Sequence, residues 1–242
     1  METKRKNDTI QSLRIGLSII EVIAKEGRPL KVIEIQEKTQ ITKSNLYKYL
    51  NTLIQENFLF RDSETSMYHL GSKLIQYGFA AMGNQDILPI ITPYLQSISV
   101  RTRSSVIFAV PTYNGPVIAK IWRSSQILNI GAELGTLLPP RSSSGKIFHA
   151  FSSKLMIDSW NKEKDLSLPE NELEKIKKDK IAFANEPLIS QISSVSIPIL
   201  SFDKELIGIV TVVGFSTDIP STPDSEFSQY LQEVQLEISG KF

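Results

Sequence analysis

The sequence predicts an α+β protein of two domains joined by a helical linker: a winged helix-turn-helix domain over residues 1–72, the linker over 73–85, and a GAF- or profilin-like α+β domain over 86–242. Three observations predict it. Residues 8–55 carry apolar positions at helical spacing in three successive segments. Residues 58–70 then change to two short strand-like runs around the polar segment DSETS. From residue 104 onward, paired β-rich runs are interspersed with helical stretches, the mix of a sheet with helices at its periphery.

The first helix, within residues 8–26, sets Leu13, Leu17, Ile20 and Ala24 at helical spacing with Ile19 and Ile23 beside them, and Gly27 followed by Pro29 ends it. Val32, Ile33 and Ile35 make a short second helix, although Lys31 stands where a Ser or Thr cap is usual and Gln40 where a closing glycine is usual. Thr42 is placed to cap a third helix whose core stripe is Leu46, Leu50, Leu53 and Ile54. That stripe leaves Lys43, Ser44, Asn45, Tyr47 and Lys48 together on the opposite face. Residues 58–61 and 67–70 read as the strands of a hairpin. Residues 73–100 read as one or two helices interrupted at Gly83, Pro89 and Pro93. Asn114-Gly115 between two apolar runs is a strong hairpin signal. A strand near 127–134, helices over 143–160 and 170–180, two strands within 195–215 and a helix over 223–239 complete the chain.

Composition narrows the chemistry. With no cysteine among 242 residues, disulfides, thiolate metal sites and a thiol nucleophile are excluded. Two histidines, His69 and His149, leave little for a histidine-based metal site, so no metal and no cofactor is expected. No segment approaches the length of a membrane span and the N-terminus has no apolar leader core, so the chain reads as cytoplasmic. Residues 1–80 hold 12 Lys and Arg against 9 Asp and Glu, whereas residues 81–242 hold 15 against 17. The small positive balance directs attention to the N-terminal part.

There, the polar start of the third helix suits duplex DNA. Free backbone N–H groups and the positive end of the helix dipole favour a phosphate near Lys43 and Ser44. Asn45 matches the two-point pattern of adenine, Lys48 can donate to guanine, and Tyr47 can meet a sugar or a thymine methyl. A charged helix face alone is ordinary solvated surface; preceded by a packed helix pair and followed by a hairpin, it reads as a DNA-contacting helix. Arg61 and the tail residues Lys4, Arg5 and Lys6 add candidate phosphate contacts. The alternative chemistry rests on Ser143 to Lys146, which have the Ser-x-x-Lys spacing of hydrolases with a lysine base, though no companion motif follows. The same residues read more simply as a turn and capped helix start offering hydroxyl and N–H groups to a carboxylate. His69 and His149 read as structural, as do Phe148, Phe151 and Trp160, and Trp122 as a side chain packed on the sheet.

Several motifs resemble the IclR family of bacterial transcriptional regulators along nearly the whole chain. They are Gln11-Ser12-Leu13, Pro29-Leu30 to Ile35, Lys43-Ser44-Asn45-Leu46-Tyr47-Lys48, and Tyr68-His69-Leu70-Gly71, followed by SSSGKIFHAF and SIPILSFDKELIGIVTVVG. The resemblance implies a repressor that is not an enzyme. Its partners would be operator DNA and a small organic acid or aromatic effector, and it would act as a homodimer or a dimer of dimers. The candidate DNA contacts are then Arg14, Thr42, Lys43, Ser44, Asn45, Tyr47, Lys48 and Arg61. An effector site is implied at Ser143, Ser144, Gly145, Ala184, Asn185, Ser194, Thr211 and Val213. Two departures stand out: Ile15 takes the place of the family's helix-one Arg, with Arg14 beside it, and Lys48 that of an Arg in the third helix, which keeps the charge but loses the planar fork. Ser194 matches the family's Cys, and Ala184 or Asn185 its acidic position. The alternatives are a hydrolase using Ser143 and Lys146, or an adaptor whose DNA head is weakened.

Overall fold

A computed structural model describes residues 9–82, 87–124, 133–161, 168–185 and 189–242. The chain divides into two compact units, Met1–Gln85 and Asp86–Phe242. The N-terminal unit contains α1 (Gln11–Glu26), α2 (Val32–Thr39), α3 (Lys43–Gln55), β1 (Leu59–Arg61), β2 (Tyr68–Leu70) and α4 (Ser72–Met82). β1 and β2 pair antiparallel, and Leu30 exchanges two backbone hydrogen bonds with Tyr68, so the segment before α2 becomes a third rung of the wing.

The core of this unit is Ile19, Ile23, Leu30, Ile35, Leu46, Leu50, Leu59 and Tyr68. The expected stripe on α1 is therefore rotated. Leu13 and Leu17 are 60% and 54% exposed, while Ile19 is fully buried. Four-residue spacing is satisfied by both rows, and the tertiary partners Leu30, Ile35 and Leu46 select the second. α2 starts without a hydroxyl cap because the Glu34 carboxylate accepts from the Lys31 N–H at 2.8 Å and from Arg28 at 2.8 Å. It ends at Gln40, which takes the left-handed conformation with φ 56° in place of a glycine.

The C-terminal unit contains α5 (Ile87–Thr102), β3 (Ser105–Thr112), β4 (Gly115–Trp122), α6 (Ser143–Phe151), α7 (Lys154–Asn161), α8 (Glu170–Asp179), β5 (Ala182–Ala184), β6 (Ile192–Leu200), β7 (Leu206–Phe215) and α9 (Glu226–Ser239). Its sheet is antiparallel in the order β4-β3-β7-β6-β5. One face carries Val106, Phe108, Val195, Ile197, Val210 and Val212 against α5 and α9. The other carries Ala109, Ala182 and Ile209 against Ile147 and Phe148 of α6, Trp160 of α7 and Ile176 of α8. The α+β class is as expected, and four details differ. Pro89 and Pro93 lie within α5 without breaking it; Pro89 is in the first turn, where its missing N–H has no helical partner to lose. The stretch read as one helix over 143–160 is two, because Ser152 turns to an extended conformation at the end of α6. The β3–β4 turn is Tyr113-Asn114, since Thr112 pairs with Gly115. Gly115, at φ 113°, starts β4, and a side chain there would strike the Trp160 indole. β5 is an additional short strand that follows α8 directly. The strand expected near 127–134 falls, for most of its length, outside the described residues, as does Gly83.

Truncation at the two rows of α1 tells them apart. Ile19→Ala is expected to destabilise the N-terminal unit by about 2–5 kcal/mol, and Leu13→Ala to change it by no more than about 0.5 kcal/mol. Urea denaturation, with amide exchange of residues 11–55 assigning the transition to this unit, measures both.

Candidate functional site

Burial of Leu46 and Leu50 fixes the rotation of α3, and its other face is open: Thr42, Lys43, Ser44, Asn45, Tyr47 and Lys48 are all exposed. Thr42 occupies the N-cap position in an extended conformation, yet its side chain makes no cap hydrogen bond; only its carbonyl is used, accepting from Leu46 N at 2.9 Å. The expectation that Thr42 caps through its hydroxyl is corrected accordingly. Among the described residues, no side chain satisfies the first N–H groups of α3. These groups and the helix dipole therefore face solvent beside the Lys43 ammonium, the arrangement a phosphate group requires.

Tyr68 links this helix to the wing. Burial pushes its phenol pKa up; the nearby Arg61 charge acts in the opposite sense and Tyr47 adds to the rise. The Arg61 guanidinium sits 5.8 Å from the Tyr68 ring centre and donates to Ser66 Oγ at 3.2 Å. Tyr47 on α3 and Arg61 on β1 are both exposed. The turn beyond β1 is held by Asp62, whose carboxylate accepts from the Thr65 hydroxyl and from Glu64 N at 2.8 Å. Those bonds, the Thr65 hydroxyl first, hold the Asp62 carboxyl below its ordinary pKa. Arg61 is the one Lys or Arg of the hairpin 59–70, whose tip carries Asp62 and Glu64. Arg14 is exposed on α1, and Lys4, Arg5 and Lys6 lie outside the described residues.

In the C-terminal unit the sheet and α6 bring five hydroxyls together. Ser143 Oγ lies 2.8 Å from Ser194 Oγ and 2.7 Å from Ser196 Oγ. Ser144 Oγ lies 2.7 Å from Thr211 Oγ1, which is 2.8 Å from Ser196 Oγ. All five side chains are buried. Ser142 caps α6 by accepting from Gly145 N at 3.0 Å. Gly145 is required by packing, because a Cβ there would meet the carbonyl oxygens of Pro139 and Pro140. Val213 and Ala184 flank Ser194 on the neighbouring strands. Asn185 is exposed and its side-chain oxygen accepts from Ser193, whose side chain belongs to the other face of β6. Of the residues expected at this site, the structure gathers Ser143, Ser144, Ser194 and Thr211, sets Val213 and Ala184 beside them, places Gly145 under the loop, and directs Asn185 elsewhere. Ser196 was missed, and strict alternation from Ser194 is the signal that finds it.

The hydrolase alternative loses its base. Lys146 Nζ is 2.8 Å from Glu172 Oε1 on α8, and the contacts of Ser143 Oγ are hydroxyls. Trp122 packs with the core on the α5 and α9 face, away from the hydroxyl cluster. No group of three potential metal-binding side chains occurs among the described residues, and no described helix is long and apolar enough to cross a membrane.

Comparison with known proteins gives the following. Residues 12–63 match the IclR helix-turn-helix domain. The HTH-type transcriptional repressor AllR of Escherichia coli is 24% identical over 133 residues, 55% of this chain and 49% of that protein; AllR of Salmonella typhimurium is 23% identical over the same lengths. The matched stretch thus spans about half the length of these curated relatives. Among solved structures, the Thermotoga maritima IclR is 26% identical, with a TM-score of 0.72 over 96% of this chain and 99% of that one. An IclR homologue from Microbacterium hydrocarbonoxydans, complexed with 4-hydroxybenzoate, shares the fold at 15% identity, with a TM-score of 0.71 over 95% and 98%.

On the same helix as Ser143, His149 Nδ1 is buried without a hydrogen-bond partner, and burial, with the Lys177 charge adding, holds its pKa below the ordinary value. The unfolded chain therefore takes up this proton at higher pH than the folded one, so stability falls as pH drops through about 6.5. His149→Gln is expected to shrink the loss of denaturation midpoint between pH 7.5 and pH 5.5, measured against the parent protein in matched buffers.

Proposed function

We propose that this chain, which belongs to the IclR family through its N-terminal helix-turn-helix domain, is a sequence-specific transcriptional repressor whose operator affinity is set by a small organic or aromatic acid. The observation that carries the proposal is α3: a helix with an exposed, uncapped, polar and cationic start, adjoining a wing through Tyr68. The similarity to AllR repressors over 133 residues of the chain supports the same reading.

Each residue has a role in it. The start of α3, with Thr42, Lys43 and Ser44, receives a phosphate; Arg14 and Arg61 take further phosphates. Asn45 reads adenine by two hydrogen bonds, Lys48 donates to guanine, and Tyr47 packs against sugar or a thymine methyl. One such helix reads too few base pairs for an operator, so the protein acts as a dimer, alone or in pairs, on two half-sites about 34–36 Å apart or at multiples of that. The effector binds the C-terminal unit beside the hydroxyl cluster of Ser143, Ser144, Ser194 and Thr211, with Ala184 and Val213 as apolar neighbours. A fold relative that holds 4-hydroxybenzoate supports an acid of that kind. An effector that prefers one arrangement of the DNA heads shifts operator affinity by that preference and no more. Such a protein works in the cytoplasm, where the chromosome is, and uses neither cofactor nor catalysis.

Selection of bound fragments from a random DNA pool, at low and at near-physiological salt, tests the proposal. A single palindromic site that survives the higher salt is expected; unrelated fragments lost with salt would indicate phosphate binding alone and favour an adaptor. On the selected site, Lys48→Ala is expected to weaken binding by about 1–3 kcal/mol, roughly fivefold to 150-fold, in a mobility-shift titration.

A further inference from the structure

The hydroxyl contacts between α6 and the sheet fix their own proton order. A hydroxyl has one proton to donate and two lone pairs with which to accept. The geometry at Ser143 and Ser194 admits Ser143 only as the donor, which spends the Ser143 proton. The 2.7 Å contact between Ser143 and Ser196 is then donated by Ser196. The 2.8 Å contact between Ser196 and Thr211 follows as a donation by Thr211, and the 2.7 Å contact between Ser144 and Thr211 as one by Ser144. One directed chain results, from Ser144 through Thr211, Ser196 and Ser143 to Ser194. Among the described residues, the Ser194 proton alone in this chain has no acceptor. The strand neighbours of Ser194, Ala184 and Val213, have side chains that accept nothing.

We infer that Ser196 and Thr211 are positioning residues that orient Ser194 as a donor, so that the effector group reaching Ser194 is a hydrogen-bond acceptor, a carboxylate or carbonyl rather than an amine. The inference rests on the reading of this unit as the effector-binding one, and names which atom recognises the ligand and what aims it. Each hydroxyl that donates along the chain is polarised by the bond it accepts, so the terminal donor is strengthened. Lys146, the cation on α6, is engaged by Glu172. The site therefore meets an acid with one neutral donor, the Ser194 hydroxyl.

Because the chain has no cysteine, Ser194→Cys sets a single thiol at the end of the relay. A thiolate there accepts the Ser143 proton, and its pKa, read from ultraviolet thiolate absorbance against pH, is expected at least about one unit below the ordinary 8.5. Adding Ser143→Ala returns it toward the ordinary value, and adding Ser196→Ala returns it part of the way, a response that a merely structural Ser196 does not produce. A thiol pKa at or above the ordinary value, indifferent to both changes, overturns the inference. A second readout needs no thiol. Ser194→Ala strands the buried Ser143 proton, whereas Ser144→Ala strands only an acceptor lone pair, so the directed chain demands a larger fall in denaturation midpoint for Ser194→Ala. Equal falls, or the reverse order, refute it. Neither experiment uses DNA or effector, so failure here leaves the repressor proposal standing, and failure of DNA selection leaves the relay standing.

Discussion

Alternation along the paired strands β6 and β7 is the constraint on which the C-terminal unit depends. Val195, Ile197 and Ile199 face the apolar layer beneath α5 and α9, and successive side chains of a strand point to opposite faces. Ser194 and Ser196 consequently face α6. β7 repeats the arrangement, with Val210 and Val212 on one side and Thr211 on the other, and Ser196 pairs directly with Thr211. A slip of one residue in either strand would drive hydroxyls into the apolar layer. A buried hydroxyl left without a partner costs on the order of 1–3 kcal/mol, so this register and the mutual satisfaction of the five hydroxyls stabilise each other. The same pairing leaves a polar patch between helix and sheet, with apolar packing of Ala109, Ile147 and Ile209 beside it.

The N-terminal unit uses burial to the same end. Leu46 and Leu50 have no exposure, which leaves α3 one rotation about its axis and hence one outward face. Glu34 holds the start of α2 through the Lys31 N–H, so the helix before α3 is firmly begun although its cap position carries lysine. Among the described residues, nothing comparable covers the start of α3. A helix start left uncapped forgoes about 1 kcal/mol, and a phosphate group can supply the missing partner.

Much of this was legible in the sequence. The order of elements and the exposed set on α3 followed from period and motif, whereas Ser143, Ser144 and Thr211 were singled out by the resemblance to the IclR family. The rotation of α1 did not, because Leu13, Leu17, Ile19 and Ile23 give two apolar rows at helical spacing and only tertiary partners choose between them. The cap role of Thr42 was read from residue type alone, and the conformation found there leaves its hydroxyl unused. Ser196 was readable by counting two from Ser194, but its importance comes from the cross-strand partner Thr211, which no local pattern reveals. The role of Lys146 likewise depended on Glu172, 26 positions away in sequence, so a Ser-x-x-Lys spacing taken alone pointed to the wrong partner.

The claim that α3 reads bases is tested most directly by repeating the DNA selection with Asn45→Gln. A longer amide on the same helix position moves the two-point contact along the groove while leaving the phosphate contacts of Lys43 and Arg61 in place. The account predicts that the variant still selects a palindrome of the same spacing, with the preferred base altered at one position in each half-site. Recovery of the parent sequence unchanged, at unchanged affinity, would contradict it and move base recognition away from this face of the helix.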